Sequence, residues 1–113
     1  MIKITEEKIY MASLGYSFYS THPGEIVSDE LEARGISQRQ FAEAIGMSPT
    51  VVNEILKGHR SITPATALLF EAALDIPADS LVRLQTKYNM QQARKDPTLL
   101  ERIKHIGHVA AVL

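Results

Sequence analysis

The chain has 113 residues, 45% of them apolar and 22% charged, with a formal net charge of −1. That length suits one domain burying roughly 65% of the unfolded chain's surface, so no covalent staple is required. Cys is absent, which excludes disulfides, thiolate metal sites and cysteine nucleophiles. The opening Ile2-Lys3-Ile4-Thr5-Glu6-Glu7-Lys8 lacks the apolar core of a signal peptide. No apolar run approaches the ~18 residues of a membrane helix, so no membrane partner is expected. The expected location is the cytoplasm. A near-neutral total argues against indiscriminate coating of nucleic acid, but not against a small local basic face.

Residues 1–20 read as an N-terminal extension, either a short strand or an added helical turn. Ile2 and Ile4 alternate there, and Tyr10, Tyr16, Phe18 and Tyr19 cluster. These aromatics would cover an open edge of the core or await a partner protein. Proline and glycine punctuate the rest of the chain. A first helix runs from His22-Pro23-Gly24 to Arg34-Gly35 with Ile26, Val27 and Leu31 as its stripe; Gly35 suits its left-handed close. Ser37-Gln38-Arg39-Gln40 is a capping-box signature opening a helix with Phe41, Ala42 and Ile45, stopped at Gly46. Ser48-Pro49 predicts a hydroxyl cap followed by proline at the first helical position, leading to Val52, Ile55 and Leu56.

Thr63-Pro64 repeats that start, and the segment carries Leu68, Leu69, Ala72 and Ala73 as its apolar positions. A longer helix comes after Ile76-Pro77, with Leu81, Leu84 and Tyr88 on one face. Asp96-Pro97 opens a last one through Leu99, Leu100, Ile103 and Ile106. The fold class is therefore all-α. The division is an extension at 1–20, a helical domain at 21–94 and a C-terminal helix at 95–113, with a weak seam at Lys95-Asp96-Pro97.

The chemistry concentrates in residues 38–57. Two short helices meet at Gly46-Met47-Ser48, where Ala42 permits a close crossing and Gly46 a positive φ. Val52 and Ile55 would rest the second helix on the first, while Phe41 and Ile45 enter the core. That spacing is what a helix-turn-helix requires. Two core helices of an ordinary bundle could meet in the same way, but the leftover face argues otherwise. Thr50, Val51, Asn53, Glu54 and Lys57 lie off the apolar stripe and suit base edges, a thymine methyl and phosphates. Glu54 repels phosphate unless it reaches a cytosine amino group. Ser48 begins this helix, and Gln38 and Arg39 begin the preceding one, whose free N–H groups favour a phosphate. Lys57, His59 and Arg60 add charge on the same side. From 34 to 60, Arg34, Arg39, Lys57 and Arg60 outnumber Glu43 and Glu54.

A longer ordered set carries a resemblance. It comprises His22-Pro23-Gly24-Glu25, Ser37-Gln38, Gly58-His59-Arg60 with Ile62-Thr63-Pro64, and Leu84-Gln85 near Tyr88. Over about residues 22–94 this is similar to the HigA family of antitoxins, within the xenobiotic-response-element or lambda-repressor-like class of five-helix domains. The resemblance implies a homodimer on a palindromic operator that represses its own operon and neutralises a HigB-like, ribosome-dependent ribonuclease toxin. Two other readings stay open: a phage-like or stress-response repressor without a toxin, and an interaction subunit that has lost DNA binding.

Catalytic and metal constellations are weak. Glu101, His105 and His108 are spaced along the last helix without a firm third ligand site, so a polar surface is expected there. Asp29, Glu30 and Glu32 read as solvated charge on a helix surface. No catalytic residue, metal or cofactor is therefore expected. The dimer contact is expected from Leu81, Leu84 and Tyr88 together with the Leu99, Leu100, Ile103 and Ile106 stripe.

Overall fold

The computed structural model describes residues 21–106. Among them are six helices and no strand: α1 Pro23–Ala33, α2 Gln38–Ile45, α3 Pro49–Leu56, α4 Pro64–Leu74, α5 Ala78–Arg94 and α6 Pro97–Ile106. The expected form of residues 1–20, their aromatic cluster and His108 lie outside the described residues. The first five helices surround one core, with Val27, Val52, Ile55, Phe70, Leu74, Ile76 and Leu81 fully enclosed. Helix α4 packs on α5 and α2, α3 packs on α2 and α1, and α6 touches only α5 among the principal contacts.

Local sequence explains most of the boundaries. The Ser37 hydroxyl accepts from the Gln40 amide at 3.1 Å, and the Gln40 side chain accepts from the Ser37 amide at 2.9 Å. This is the full capping box. Thr63 caps α4 through the Thr66 amide at 3.2 Å. Asp96 accepts from the Thr98 amide at 2.9 Å, turning the expected seam into the start of α6. Ser48 differs: it occupies the N-cap position, yet its hydroxyl makes no capping hydrogen bond. Pro49 supplies no amide, and its fixed φ starts the helix without that bond.

Several assignments change once the helices are packed. In α4, Ala67, Phe70 and Leu74 are buried, whereas Leu68 and Leu69 are 58% and 41% exposed and Ala72 and Ala73 face solvent. A helix apolar on both sides gives no periodic signal to tell inside from outside. Leu81 and Leu84 are consumed by the core, so they supply no dimer surface. Glu30 is buried and is no solvated charge; its carboxylate takes the Arg34 guanidinium at 2.6 Å. Arg34 also donates to the Leu74 carbonyl at 2.8 Å, joining the ends of α1 and α4. It is therefore a structural cation and not part of the basic face.

Helices α1 and α3 cross closely at Gly24. A Cβ on Gly24 would lie 2.0 Å from the Ile55 carbonyl oxygen, so only glycine allows the crossing. Gly24→Ala should destabilise the fold by about 3 kcal/mol, the upper end for overpacking against atoms that cannot yield. Gly46→Ala, with no atom in the way of its Cβ and only a φ of 70° to accommodate, should cost about 1–2 kcal/mol. Urea unfolding of the two variants checks this order. A Gly24→Ala midpoint equal to that of the wild type would mean the helices separate freely.

Candidate nucleic-acid interface

The candidate interface is built on α2, α3 and the turns that close them. After α2, Gly46 is left-handed at φ 70°. Its amide bonds the Glu43 carbonyl at 3.3 Å, while the Met47 amide reaches back to Ala42 at 3.0 Å. That Schellman closure sets the angle at which α3 departs. Ala42 is buried, as are Val52, Ile55 and Leu56, and Ile45 packs against the core from a half-buried position. These contacts leave Thr50 exposed and Val51, Asn53 and Glu54 half-buried along the opposite side of α3.

The outward side chains are not independent. The Asn53 amide donates to Gln38 Oε1 at 2.9 Å, linking the middle of α3 to the first residue of α2. Both amides keep further donors and acceptors, so the bond orients them without exhausting them. Glu54 Oε1 accepts from Arg60 Nε at 3.1 Å and from Nη2 at 2.8 Å. Arg39 lies 3.5 Å from Glu43 in an exposed pair. Such surface pairs contribute about 0–1 kcal/mol each and exchange readily for other partners. The Glu54–Arg60 pair nevertheless offsets the negative charge on this face of α3.

Beyond α3, Gly58 is left-handed at φ 81°, and the His59 amide returns to the Glu54 carbonyl at 2.8 Å. The chain then carries His59 and Arg60, both exposed, past the end of the helix beside exposed Lys57. At the other end Ser48, Gln38 and Arg39 are exposed. All ten expected residues thus belong to one continuous motif, with cations flanking a polar, half-apolar helix face.

What sequence reasoning missed is the brace behind this face. His22 is buried. Its Nδ1 accepts from the Gly24 amide at 2.9 Å, so the ring proton resides on Nε2, and the ring also hydrogen-bonds the Arg60 backbone. Tyr88 meets the imidazole edge-on with ring centroids 4.9 Å apart. Gln85, buried on α5, accepts from the Ile62 amide at 2.8 Å and donates to Asn89 at 3.0 Å. Together these residues hold the loop from Gly58 to Ile62. The signal was present, since each of His22, Gln85 and Tyr88 belongs to the ordered set that carried the resemblance. Spacing alone, however, does not show that they converge.

Comparison with known proteins agrees with this geometry. A helix-turn-helix family profile matches residues 27–81. Virulence-associated protein I of Dichelobacter nodosus is 38% identical over 76 residues, covering 66% of this chain and 70% of that protein. A Coxiella burnetii addiction-module antidote protein of the HigA family superposes with a TM-score of 0.64 at 31% identity, over 80% of this chain and 94% of that one. Pseudomonas aeruginosa antitoxin HigA, solved with the higBA promoter, gives a TM-score of 0.68 at 31% identity over 77% and 94%. The chain belongs to the HigA family. Its fold is the lambda-repressor-like helix-turn-helix domain. Among the described residues of this HigA-family chain, no helix is long and apolar enough to cross a membrane.

Burial lowers the His22 pKa below its ordinary value, and the hydrogen bond to the Arg60 backbone opposes that only in part. The native state therefore favours the neutral ring, whereas the unfolded chain takes up a proton near pH ~6.5. The brace consequently contributes fully above that pH, and stability falls as pH drops from ~6.5 toward the lower native value. His22→Gln should lower the melting temperature at neutral pH and flatten its decline between about pH 7 and 5. Thermal melts across that range check the outcome; parallel declines would place the acid sensitivity elsewhere.

Proposed function

We propose that this chain is an operator-binding antitoxin that represses its own operon and neutralises a HigB-like ribonuclease toxin. The observation that carries the DNA half is the α3 face, where Asn53 is oriented by Gln38 between two cationic ends. Helix α3 enters the major groove, where Thr50 and Asn53 meet base edges and Val51 meets a thymine methyl. Glu54 either accepts from a cytosine amino group or stays with Arg60. Pro49 and the unbonded Ser48 hydroxyl leave the first α3 amides for a phosphate, the usual partner of a helix N-terminus. Gln38, Arg39, Lys57, His59 and Arg60 position the domain on the backbone. The solved relative with the higBA promoter supports the same use of the motif.

A homodimer is part of the proposal, because one short helix reads too few base pairs to find one operator in a genome. Its two α3 helices would address half-sites ~34 Å apart. A surface outside α2 and α3 holds the toxin, and both partners would meet in the cytoplasm. Growth arrest by a neighbouring small ribonuclease, relieved when this chain is co-expressed, tests that half. Failure of relief would leave a repressor without a toxin.

Arg39, Lys57, Arg60 and His59 give a dimer on the order of six to eight phosphate contacts, for a log–log salt slope of about −5 to −7. Asn53→Ala should relax preference at one or two base pairs by about 1–3 kcal/mol, and Arg39→Ala should weaken all duplexes alike with a slope smaller by roughly one per subunit. Fluorescence anisotropy at several salt concentrations measures both quantities. A slope near zero, or base preference lost with Arg39 and kept without Asn53, contradicts this orientation of α3.

A further inference from the structure

The His22 ring fits its surroundings in one protonation state. Nδ1 accepts from the Gly24 amide at 2.9 Å and the ring also bonds the Arg60 backbone, so one nitrogen is bare and the other carries the proton. A second proton would set N–H against N–H at Gly24. The ring is closely covered as well. Cβ atoms added at Gly24 and Gly58 would stand 3.0 and 3.5 Å from it, and Tyr88 closes its edge. A charged imidazole is therefore favoured outside this pocket, where water reaches it. Its departure removes the surface under Gly58 and the anchor of the Arg60 backbone. The core lies elsewhere, in Val27, Ile55, Phe70 and Leu81, and Gln85 still holds the Ile62 amide, so the freedom gained is local.

We infer that His22 is a positioning residue for DNA binding and makes that binding acid-sensitive. The neutral ring holds the Gly58–Ile62 loop against the end of α3, and protonation releases the loop with its phosphate-binding residues. The inference rests on the DNA-binding reading of α3. Its sign separates it from ordinary electrostatics, because acid adds positive charge to a protein and so tightens its hold on a polyanion. The charged groups around the pocket follow that ordinary sign. Glu25 of α1 and Lys57, His59 and Arg60 of the loop are exposed, Glu54 of α3 pairs with Arg60, and α5 brings Lys87 and Tyr88. Protonation of Glu25 or Glu54 removes negative charge, in the second case also freeing Arg60, and an exposed His59 gains a charge. Lysine, arginine and tyrosine side chains do not change charge in mild acid. The buried His22 ring acts in the opposite direction, because its charged form cannot keep the bond to Gly24. Burial disfavours that form, which puts the loss below pH ~6.5. By linkage, a duplex that requires the braced loop holds the ring neutral to still lower pH.

Fluorescence anisotropy and NMR of the full chain test it together. At fixed ionic strength, wild-type affinity for a random duplex should fall about tenfold between pH 7.5 and 5, as the competent fraction falls to about a tenth, with an unchanged far-UV spectrum. His22→Asn keeps an oxygen for the Gly24 amide but can neither titrate nor reach Arg60. It should bind weakly at neutral pH and show no acid decline, whereas His59→Gln should retain the decline. In the wild type, the Gly58 and Arg60 amide resonances should shift with the midpoint of the His22 ring, and duplex should move that midpoint down. These resonances decide the matter if His22→Asn does not fold. Affinity that rises or holds steady in acid, a His22→Asn protein that declines as the wild type does, or loop amides indifferent to the His22 titration overturns the inference. A protein that binds no duplex at neutral pH, while its loop amides follow the ring, would support the latch and refute the DNA-binding reading.

Discussion

The buried His22 imidazole is the point on which the arrangement of the α3 side depends. One ring nitrogen caps α1, the other holds the backbone just beyond α3, and Tyr88 of α5 covers the ring edge. A single neutral side chain therefore ties the first, third and fifth helices together. The close crossing at Gly24 makes this geometry possible, because it brings the start of α1 against the end of α3. Burial of an imidazole is tolerable here since both nitrogens are hydrogen-bonded. Gln85 performs the parallel task for the Ile62 amide. The loop carrying His59 and Arg60 is thus positioned from behind by buried groups.

The outward face of α3 combines this rigid support with exchangeable polar partners. Helix α3 rests on Ala42 and the core through Val52 and Ile55, which fixes its orientation without involving its outward residues. Those residues already pair among themselves, Gln38 with Asn53 and Glu54 with Arg60. A face organised in this way orders its side chains before a ligand arrives, which reduces the entropy lost on binding. It also shows how a chain with net charge −1 presents a face whose ends are basic. Acidic groups near the face are engaged by an arginine, and others are turned into the fold, as at Glu30 and Glu71.

Outside this face the apolar surface is unevenly distributed. Leu81 and Leu84 serve the core, so α5 acts as a platform for α4 and the loop. Helix α6 projects Leu100, Ile103 and Ile106 into solvent, and its principal contact is with α5. The exposed stripe of α4, with Leu68 and Leu69 at its centre, carries no charged side chain.

The order of helices and the motif itself were legible from residues alone because they depend on local chemistry. Ser37 and Gln40 form a reciprocal cap, prolines start helices where their missing amide is harmless, and Gly46 accepts the left-handed turn. These are short-range rules, satisfied within a few residues. Which side of α4 is buried was decided only by packing, because alanine and leucine on both sides leave no periodic contrast. Packing likewise drew Glu30 inward beside Arg34, took Arg34 from the basic face, and consumed Leu81 and Leu84. The role of His22 needed the tertiary structure most of all: its partners at Gly24, Arg60 and Tyr88 come from separate parts of the chain, and no spacing along it encodes that convergence.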